Sequence, residues 1–301
     1  MRLLVKILSL LVFIILPSCT SCDDDEDGDD YLTDTISVEP GNPEDAIVHI
    51  QTEEERIDSI LRVNVPHDTA SMYELPNGRD DLPQDIRYRF SYSVSYNPQT
   101  RIANWVAWHL SRSHTDGQYS RSKLNPPYYE DNDDLRNMQY LKDWHNAFPY
   151  EHGHLCPAAD NKWDEAAMRQ SFFLSNIAPQ HRDFNGSDWL TLENTCRSWA
   201  KSFGEIYIVT GPIFDKSVPD TLTESSIAIP DRYFKAILCL NPKPMAIGFI
   251  FKNDGAPQSL NEAAVSVDKI ERITGYDFFH LIDDETENRI ESTYNLSDWN
   301  L

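Results

Sequence analysis

The sequence predicts an α+β fold built around a core of mixed or antiparallel strands. Strand and helix patterns follow one another without the regular strand–helix–strand alternation of parallel α/β proteins. Of the 301 residues, 40% are apolar and 11% are aromatic, which suffices for one sizeable core or at most two domains. We therefore expect one folded domain behind an N-terminal extension, and we find no internal repeat.

Alternating aromatic and polar residues mark the first strands. Between residues 88 and 96 Tyr, Phe and Val alternate with Arg and Ser, residues 97–100 read as a turn, and residues 105–108 return as Trp-Val-Ala-Trp. The pattern predicts a half-buried antiparallel hairpin whose aromatic side chains belong to the core rather than to a base-stacking surface.

Helical and extended patterns alternate through the rest of the chain. A short helix is expected at residues 53–61 and another at 164–172, starting near Asp160 or Asn161. A longer helix should start at Asn185 or Ser187 and reach about Phe203, and a last one should span 266–274 and end at Gly275. Extended segments are expected at residues 174–177, 205–209, 227–240 and 245–251.

The stretch from residue 150 to 197 carries most of the candidate chemistry. It contains Tyr-Glu-His-Gly-His-Leu-Cys-Pro from residue 150, Leu-Ser-Asn-Ile-Ala-Pro-Gln from residue 174 and Phe-Asn-Gly from residue 184, followed by Glu193 and Arg197. A histidine between small or kinking residues, two asparagines nine apart, and a carboxylate one helical turn from a guanidinium suit hydrolysis of a phosphodiester with one metal ion.

This order and spacing resemble the DNA/RNA non-specific endonuclease family, whose ββα-metal active-site motif begins with Asp-Arg-Gly-His. The resemblance extends from about residue 88 to 279 and includes Val-Thr-Gly-Pro-Ile-Phe from residue 209. It implies a magnesium-dependent enzyme, with manganese as the alternative ion, that cuts both DNA and RNA to 5′-phosphate products. One departure stands out: Glu151 and His152 replace the Asp-Arg of the family.

The resemblance also implies roles for individual residues. His154 would be the general base, because a neutral imidazole can take a proton at neutral pH. Asn185 would bind Mg²⁺ as a neutral oxygen ligand. Glu193 lies eight residues after Asn185, about 12 Å along a shared helix. It would reach water bound to the ion, and Arg197 would hold Glu193.

Three further residues complete the expected site. Asn176 would orient a backbone or phosphate group near His154. Arg121 is the nearest match to the phosphate-contacting arginine of the family. His152 would supply a cation in place of the family arginine, but only below its own pKa.

Two other classes of function fit the same residues. A zinc metallohydrolase could use His152, His154 and His181, for which we expect a kink at Gly153 to be needed. A catalytically impaired nucleic-acid-binding lipoprotein is the other alternative. Cys156, two residues after His154, is expected to be a buried small side chain rather than a nucleophile. Of Cys156, Cys196 and Cys239, at most one pair can form a disulfide.

The first 22 residues read as a lipoprotein signal peptide. A short basic region precedes an apolar run at residues 7–16 that is too short to span a bilayer, and Leu-Pro-Ser-Cys ends at Cys19, the expected lipidation site. Residues 23–70 read as an acidic flexible tether, and residues 71–301 as the nuclease domain. We expect a lipid-anchored outer-membrane lipoprotein that faces the cell surface or the periplasm.

The charge of the chain argues against a simple nucleic-acid binder. The formal net charge is −23, and residues 59–301 alone carry 34 acidic and 23 basic residues. Phosphate contacts usually demand a basic face. The sequence therefore predicts either a locally basic groove or dependence on a divalent ion, and it does not indicate an oligomeric state.

Overall fold

A seven-stranded antiparallel sheet organises the folded part of the chain, in the strand order β1-β2-β3-β6-β9-β10-β11. The computed structural model describes residues 52–63, 68–124, 128–131, 133 and 135–301. The predicted signal peptide, Cys19 and most of the predicted tether lie outside these residues. Within them no helix is both long and apolar enough to cross a membrane.

Eleven strands and seven α-helices are present in the described residues. The strands are β1 (Asp85–Tyr88), β2 (Ser93–Asn97), β3 (Ile102–Ser111), β4 (Tyr150–His154), β5 (Ile177–His181), β6 (Glu205–Ile213), β7 (Asp220–Thr221), β8 (Ala228–Ile229), β9 (Arg232–Cys239), β10 (Met245–Lys252) and β11 (Ala264–Val265). The helices are α1 (Glu53–Leu61), α2 (Glu165–Gln170), α3 (Arg182–Phe184), α4 (Leu190–Phe203), α5 (Leu260–Ala263), α6 (Val267–Thr274) and α7 (Asp284–Glu291), and a π-helical turn, Asn185–Trp189, joins α3 to α4.

Helices cover both faces of the sheet. The apolar side of α4 packs with Trp108, Ile208 and Ile237 in one core cluster. On the other face α6 and α7 pack with Val209 and Phe234 in a second cluster. Because both faces are covered, every residue of β2 is buried, and the predicted half-buried alternation is wrong. The predicted aromatic core is confirmed, since Tyr92 and Tyr96 are buried in the first cluster.

Local signals fixed several boundaries. The side chain of Asp164 caps α2, so this helix starts at Glu165 rather than near Asp160. Ser266 caps α6, and Gly275 ends it in the left-handed conformation with φ of 77°. The predicted α+β class is confirmed. The predicted strand over residues 88–96 is split, because a turn between Arg89 and Tyr92 separates β1 from β2.

The predicted helix at residues 53–61 is present as α1. It packs beside α2, and its Arg56 forms an ion pair with Glu165 at 3.0 Å. The compact unit that contains the sheet spans Glu53–Leu301.

Candidate active site

Two antiparallel strands followed by a helix form the candidate site. β4 pairs with β5 so that His154 lies opposite Ile177 and His152 lies opposite Pro179. The helical segment of α3, the π-helical turn and α4 follows β5 directly. The chain segment that carried the sequence motif is therefore a ββα unit, separate from the large sheet.

Gly153 allows the two strands of this unit to pack closely. A Cβ atom at this position would lie 2.3 Å from the side chain of Gln180 on the neighbouring strand. Gln180 is fully buried. The glycine between the two histidines is thus required by the close approach of a buried side chain, and the expected kink is unnecessary. Residues two apart on a strand share a face, and both His152 and His154 lie beside Tyr128.

His154 is held as a neutral imidazole. Its ring meets Phe172 edge-on with 4.7 Å between centroids, and its Nε2 atom is buried with no hydrogen-bond partner among the described residues. Burial, the charge of Arg121 and the neighbouring His152 lower the pKa of His154 to about 3. The ring is therefore in the proton-accepting form throughout the neutral range.

His152 sits between two aromatic rings. Its centroid lies 4.5 Å from that of Tyr128 and 4.1 Å from that of Trp144, both stacked. Burial and the charge of Arg121 lower the pKa of His152 to about 4. The predicted cation at position 152 would therefore exist only well below neutral pH, because both ring faces are covered and protonation is suppressed.

Arg121 lies where a phosphate could meet it. Its guanidinium carbon is 5.3 Å from the centroid of Tyr128 and 5.9 Å from that of Phe172. It lines a cavity of about 440 Å³ together with His152 and Asn185. Among the described residues no carboxylate forms an ion pair with it. A guanidinium without a carboxylate partner at the wall of a cavity is well placed to bind an anion.

Asn185 and Glu151 bring two oxygen-bearing side chains to the same cavity. The Nδ2 atom of Asn185 donates to Oε2 of Glu151 at 3.3 Å. Asn185 opens the π-helical turn, a feature frequent at functional sites. An amide oxygen and a carboxylate beside an open cavity fit Mg²⁺, which prefers oxygen ligands and keeps several waters.

Asn176 braces the backbone behind His154. It is fully buried. Its Oδ1 accepts the N–H of Cys156 at 2.9 Å, and its Nδ2 donates to the carbonyls of Cys156 at 2.9 Å and Ser171 at 2.7 Å. All three bonds go to backbone atoms. Asn176 therefore fixes the end of β4 and does not face the cavity.

A second group of charges lies on the inner side of α4. Arg197 donates to Asp160 at 2.7 Å, and the side chain of Asp160 is only 1% exposed. The expected pair between Arg197 and Glu193 is absent among the described residues, because the buried carboxylate of Asp160 takes the guanidinium instead. Burial raises the pKa of Glu193 to about 7, while the nearby charges of Lys235 and Arg197 act in the opposite direction.

Lys235 is the unexpected member of this second group. It is fully buried on β9, its Nζ has no hydrogen-bond partner among the described residues, and it lies 4.3 Å from the ring of Trp189. A lysine within the apolar run of residues 233–239 was a signal available in the sequence. Tyr128, Trp144 and Asp160 gave no comparable signal, because their partners are distant in sequence.

The other sequence expectations can also be placed. Cys156, Cys196 and Cys239 are buried free thiols, and burial raises the pKa of Cys156, so it is a small core side chain as expected. In the described part of the chain, one group of three acidic, histidine or cysteine side chains lies close enough to share a metal ion. This group contains no histidine, so it is not the zinc site predicted from the histidines.

Nucleases with a ββα unit are the class of enzyme that this geometry indicates. The family model of the DNA/RNA non-specific endonucleases matches residues 77–285. The chain belongs to this family, and the predicted resemblance is confirmed. The members of this family are DNA/RNA endonucleases, the type of enzyme predicted from the sequence.

Several nucleases resemble the chain. Mitochondrial nuclease EXOG of Danio rerio is 32% identical over 70% of this chain and 66% of its own length, and the human EXOG is 29% identical over 68% and 60%. A nuclease of Syncephalastrum racemosum is 31% identical over 76% and 78%. The chain thus spans less than two thirds of the length of these EXOG proteins. A crystal structure of the EndoG/EndoGI complex superposes with a TM-score of 0.62 at 22% identity, covering 74% of this chain and 96% of that one, which confirms the fold.

The comparisons correct the expected location. EXOG and endonuclease G, which match the chain, are named as mitochondrial nucleases rather than as outer-membrane lipoproteins. The prediction of an outer-membrane lipoprotein is therefore wrong by this measure. It rested on residues 1–30, which lie outside the described residues.

Proposed function

We propose that this protein is a Mg²⁺-dependent endonuclease that hydrolyses both DNA and RNA and leaves 5′-phosphates. The observation that carries the proposal is the placement of a neutral, buried histidine beside a guanidinium that has no carboxylate partner in the described part of the chain. In such a site a base can take a proton from water while a cation neutralises the phosphate under attack.

His154 would accept the proton of the attacking water. A base with a pKa of about 3 is weak, because general bases work best with a pKa near the working pH. The charge of Arg121 contributes to that low pKa. A phosphate bound by Arg121 would offset this charge, so the pKa of His154 should rise when the substrate is in place. Substrate binding would thus make His154 a stronger base.

Arg121 would bind the non-bridging oxygens of the scissile phosphate. Asn185, with Glu151 beside it, would hold the magnesium ion. The ion supplies Lewis-acid stabilisation of charge on the phosphate and on the leaving 3′ oxygen. Backbone-directed attack needs neither base identity nor the 2′-hydroxyl, which supports action on both DNA and RNA.

Asn176 and Arg197 would act from behind the reacting groups. Asn176 fixes the backbone after His154 through Cys156. Arg197 anchors the inner side of α4 through Asp160 and lies near Glu193. These two residues would position the site rather than touch the substrate.

The decisive experiment is plasmid nicking measured with Mg²⁺, with Mn²⁺, with Zn²⁺ and with chelator. His154→Ala should lower the rate by about 10²- to 10⁴-fold, the range typical of general-base removal, while the melting temperature stays unchanged. Val218→Ala is a suitable control, since this exposed side chain lines a different cavity. A folded His154→Ala protein with full activity would remove His154 from the mechanism.

A catalytically impaired nucleic-acid-binding protein is the second candidate. It is favoured by the low pKa of both histidines and by the loss of the family arginine at position 152. In that case every metal would leave the plasmid intact while binding persists. A zinc hydrolase would instead show activity restored by Zn²⁺ alone. The structure does not favour it, because His181 pairs with Tyr150 at the opposite end of the β4–β5 pair from His154. That separation is roughly 13 Å along the strand.

A further inference from the structure

An exposed aromatic ring stands at the rim of the candidate site. Phe148 is 78% exposed. Among the described residues, every other Phe, Tyr or Trp is at most 38% exposed. Exposing a phenyl ring to water is unfavourable, although a lone exposed ring is ordinary by itself. Phe148 is distinguished by its place on the wall of a cavity that also contains a guanidinium.

The ring belongs to the same cavity as the proposed catalytic groups. Phe148 lines the space of about 440 Å³ that also touches His152, Arg121 and Asn185. It lies two residues before the start of β4, whose last residue is His154. A group that occupies the ring face would therefore share this cavity with a phosphate bound by Arg121.

A cation accompanies the ring. The guanidinium carbon of Arg182 lies 5.8 Å from the centroid of Phe148, and the backbone N–H of Arg182 donates to the carbonyl of Pro149 at 3.0 Å. The side chain of Arg182 is 53% exposed and makes one loose ion pair, 3.8 Å to Asp183. The backbone bond ties the ring to the start of α3, so ring and cation form one supported surface.

The chemistry of this surface matches one kind of occupant. A flat apolar face beside a guanidinium complements a nucleotide, which offers a π-face and an anionic phosphate next to each other. The bases of an intact duplex are already stacked and paired, so they cannot reach a ring at the rim of the site. A base in a single strand is free to do so.

We propose that Phe148, supported by Arg182, is a base-stacking platform that binds an unpaired nucleobase adjacent to the scissile phosphate and gives the enzyme a preference for single-stranded nucleic acid. The inference rests on the proposed function, because it takes the neighbouring cavity as the phosphate site. Phe148 is a specificity residue in this scheme and takes no part in the proton transfer.

The test measures binding without turnover. The full chain carrying His154→Ala is titrated in Mg²⁺ against two fluorescent probes, an octamer of thymidylate and an octamer of the same backbone without bases. Fluorescence anisotropy gives both dissociation constants. Stacking contributes about 1–3 kcal/mol per base, so the thymidylate probe should bind roughly 5- to 150-fold more tightly.

Three substitutions in this background identify the contact. Phe148→Leu keeps the apolar bulk and removes the π-face, and it should bring the two dissociation constants within about twofold of each other. Phe148→Trp should restore the difference, because indole stacks at least as well as phenyl. Val218→Ala, at an equally exposed position that lines another cavity, should preserve it.

Two results would overturn the platform. One is a Phe148→Leu protein that still distinguishes the probes as well as its parent does. The other is an equal loss of affinity for both probes, which would point to a general effect on the loop. Because the measurement needs no cleavage, a failure of the proposed chemistry would appear separately, as a native protein that does not nick plasmid with any metal.

Discussion

Replacement of Arg197 by methionine should destabilise the protein strongly, because Arg197 neutralises a carboxylate that water cannot reach. The carboxylate of Asp160 is 1% exposed, with Oδ1 at 2.7 Å from Arg197 and Oδ2 accepting the indole N–H of Trp108 at 3.1 Å. The substitution keeps the apolar stem but leaves Asp160 with one neutral donor and the more distant charge of Lys235.

The expected cost follows from the burial of that pair. Removal of one partner of a buried ion pair typically costs about 3–5 kcal/mol, because the remaining charge is desolvated without compensation. In a unit of about 250 residues each kcal/mol corresponds to roughly 2–4 °C. Arg197→Met should therefore lower the melting temperature by about 6–20 °C, with Lys235 keeping the loss toward the lower end.

The pH dependence gives the loss a signature. Burial raises the pKa of Asp160, and Arg197 opposes that rise, so the variant should have a higher Asp160 pKa than the native protein. A carboxyl group whose folded pKa lies above its unfolded value loses stability as pH rises toward the folded pKa. The deficit in melting temperature should accordingly be larger at pH 8 than at pH 5.

Thermal unfolding followed by circular dichroism at both pH values measures this prediction. Arg272→Met is the matched control, since its side chain is 67% exposed and lies 3.7 Å from Asp268, and it should cost no more than about 0.5 kcal/mol. An Arg197→Met protein that melts within 2 °C of the native one yet has lost its activity would refute the reasoning, because Arg197 would then act in the chemistry itself.

Three other substitutions test the site more directly. Asn185→Ala should raise the Mg²⁺ concentration needed for half-maximal nicking, and an unchanged titration would take Asn185 out of the ion site. His152→Arg should change kcat/KM by a ratio that stays constant between pH 6 and pH 9, because the pKa of His152 is about 4 and the native ring is neutral across that range; a ratio that rises with pH would show a titrating cation. Gly153→Ala should destabilise the protein by about 1–3 kcal/mol in chemical denaturation, because its Cβ would lie 2.3 Å from Gln180, and native stability would mean that Gln180 can move aside.

Features fixed by local chemistry were predicted well from the sequence. Ser266 and Gly275 bounded α6 because caps are formed by a residue and its near neighbours. The end of α4 at Phe203 and the β2–β3 hairpin are of the same kind. Family membership followed from the order of short motifs along the chain, which needs no knowledge of contacts.

Features fixed by distant partners were missed. The predicted pair between Glu193 and Arg197 followed the helical i,i+4 rule, yet the guanidinium binds Asp160, which is 37 positions away. In the same way the strand predicted over residues 88–96 is interrupted beside Arg89, whose guanidinium is buried against Asp131 at 2.6 Å. Sequence patterns report the spacing of residues along one helix or strand. The pairing of buried charges depends instead on which residues are close together in the folded structure.

The replacement of the family arginine by His152 has a structural explanation that the sequence alone did not offer. The guanidinium of Arg121 lies over Tyr128, Tyr128 stacks on His152, and His152 stacks on Trp144, with 5.3, 4.5 and 4.1 Å between successive groups. A flat neutral ring completes this stack, and a low pKa follows from its burial there. His152 therefore supports the residue on which the cation rests, and in the proposed mechanism the positive charge that faces the phosphate comes from Arg121 instead.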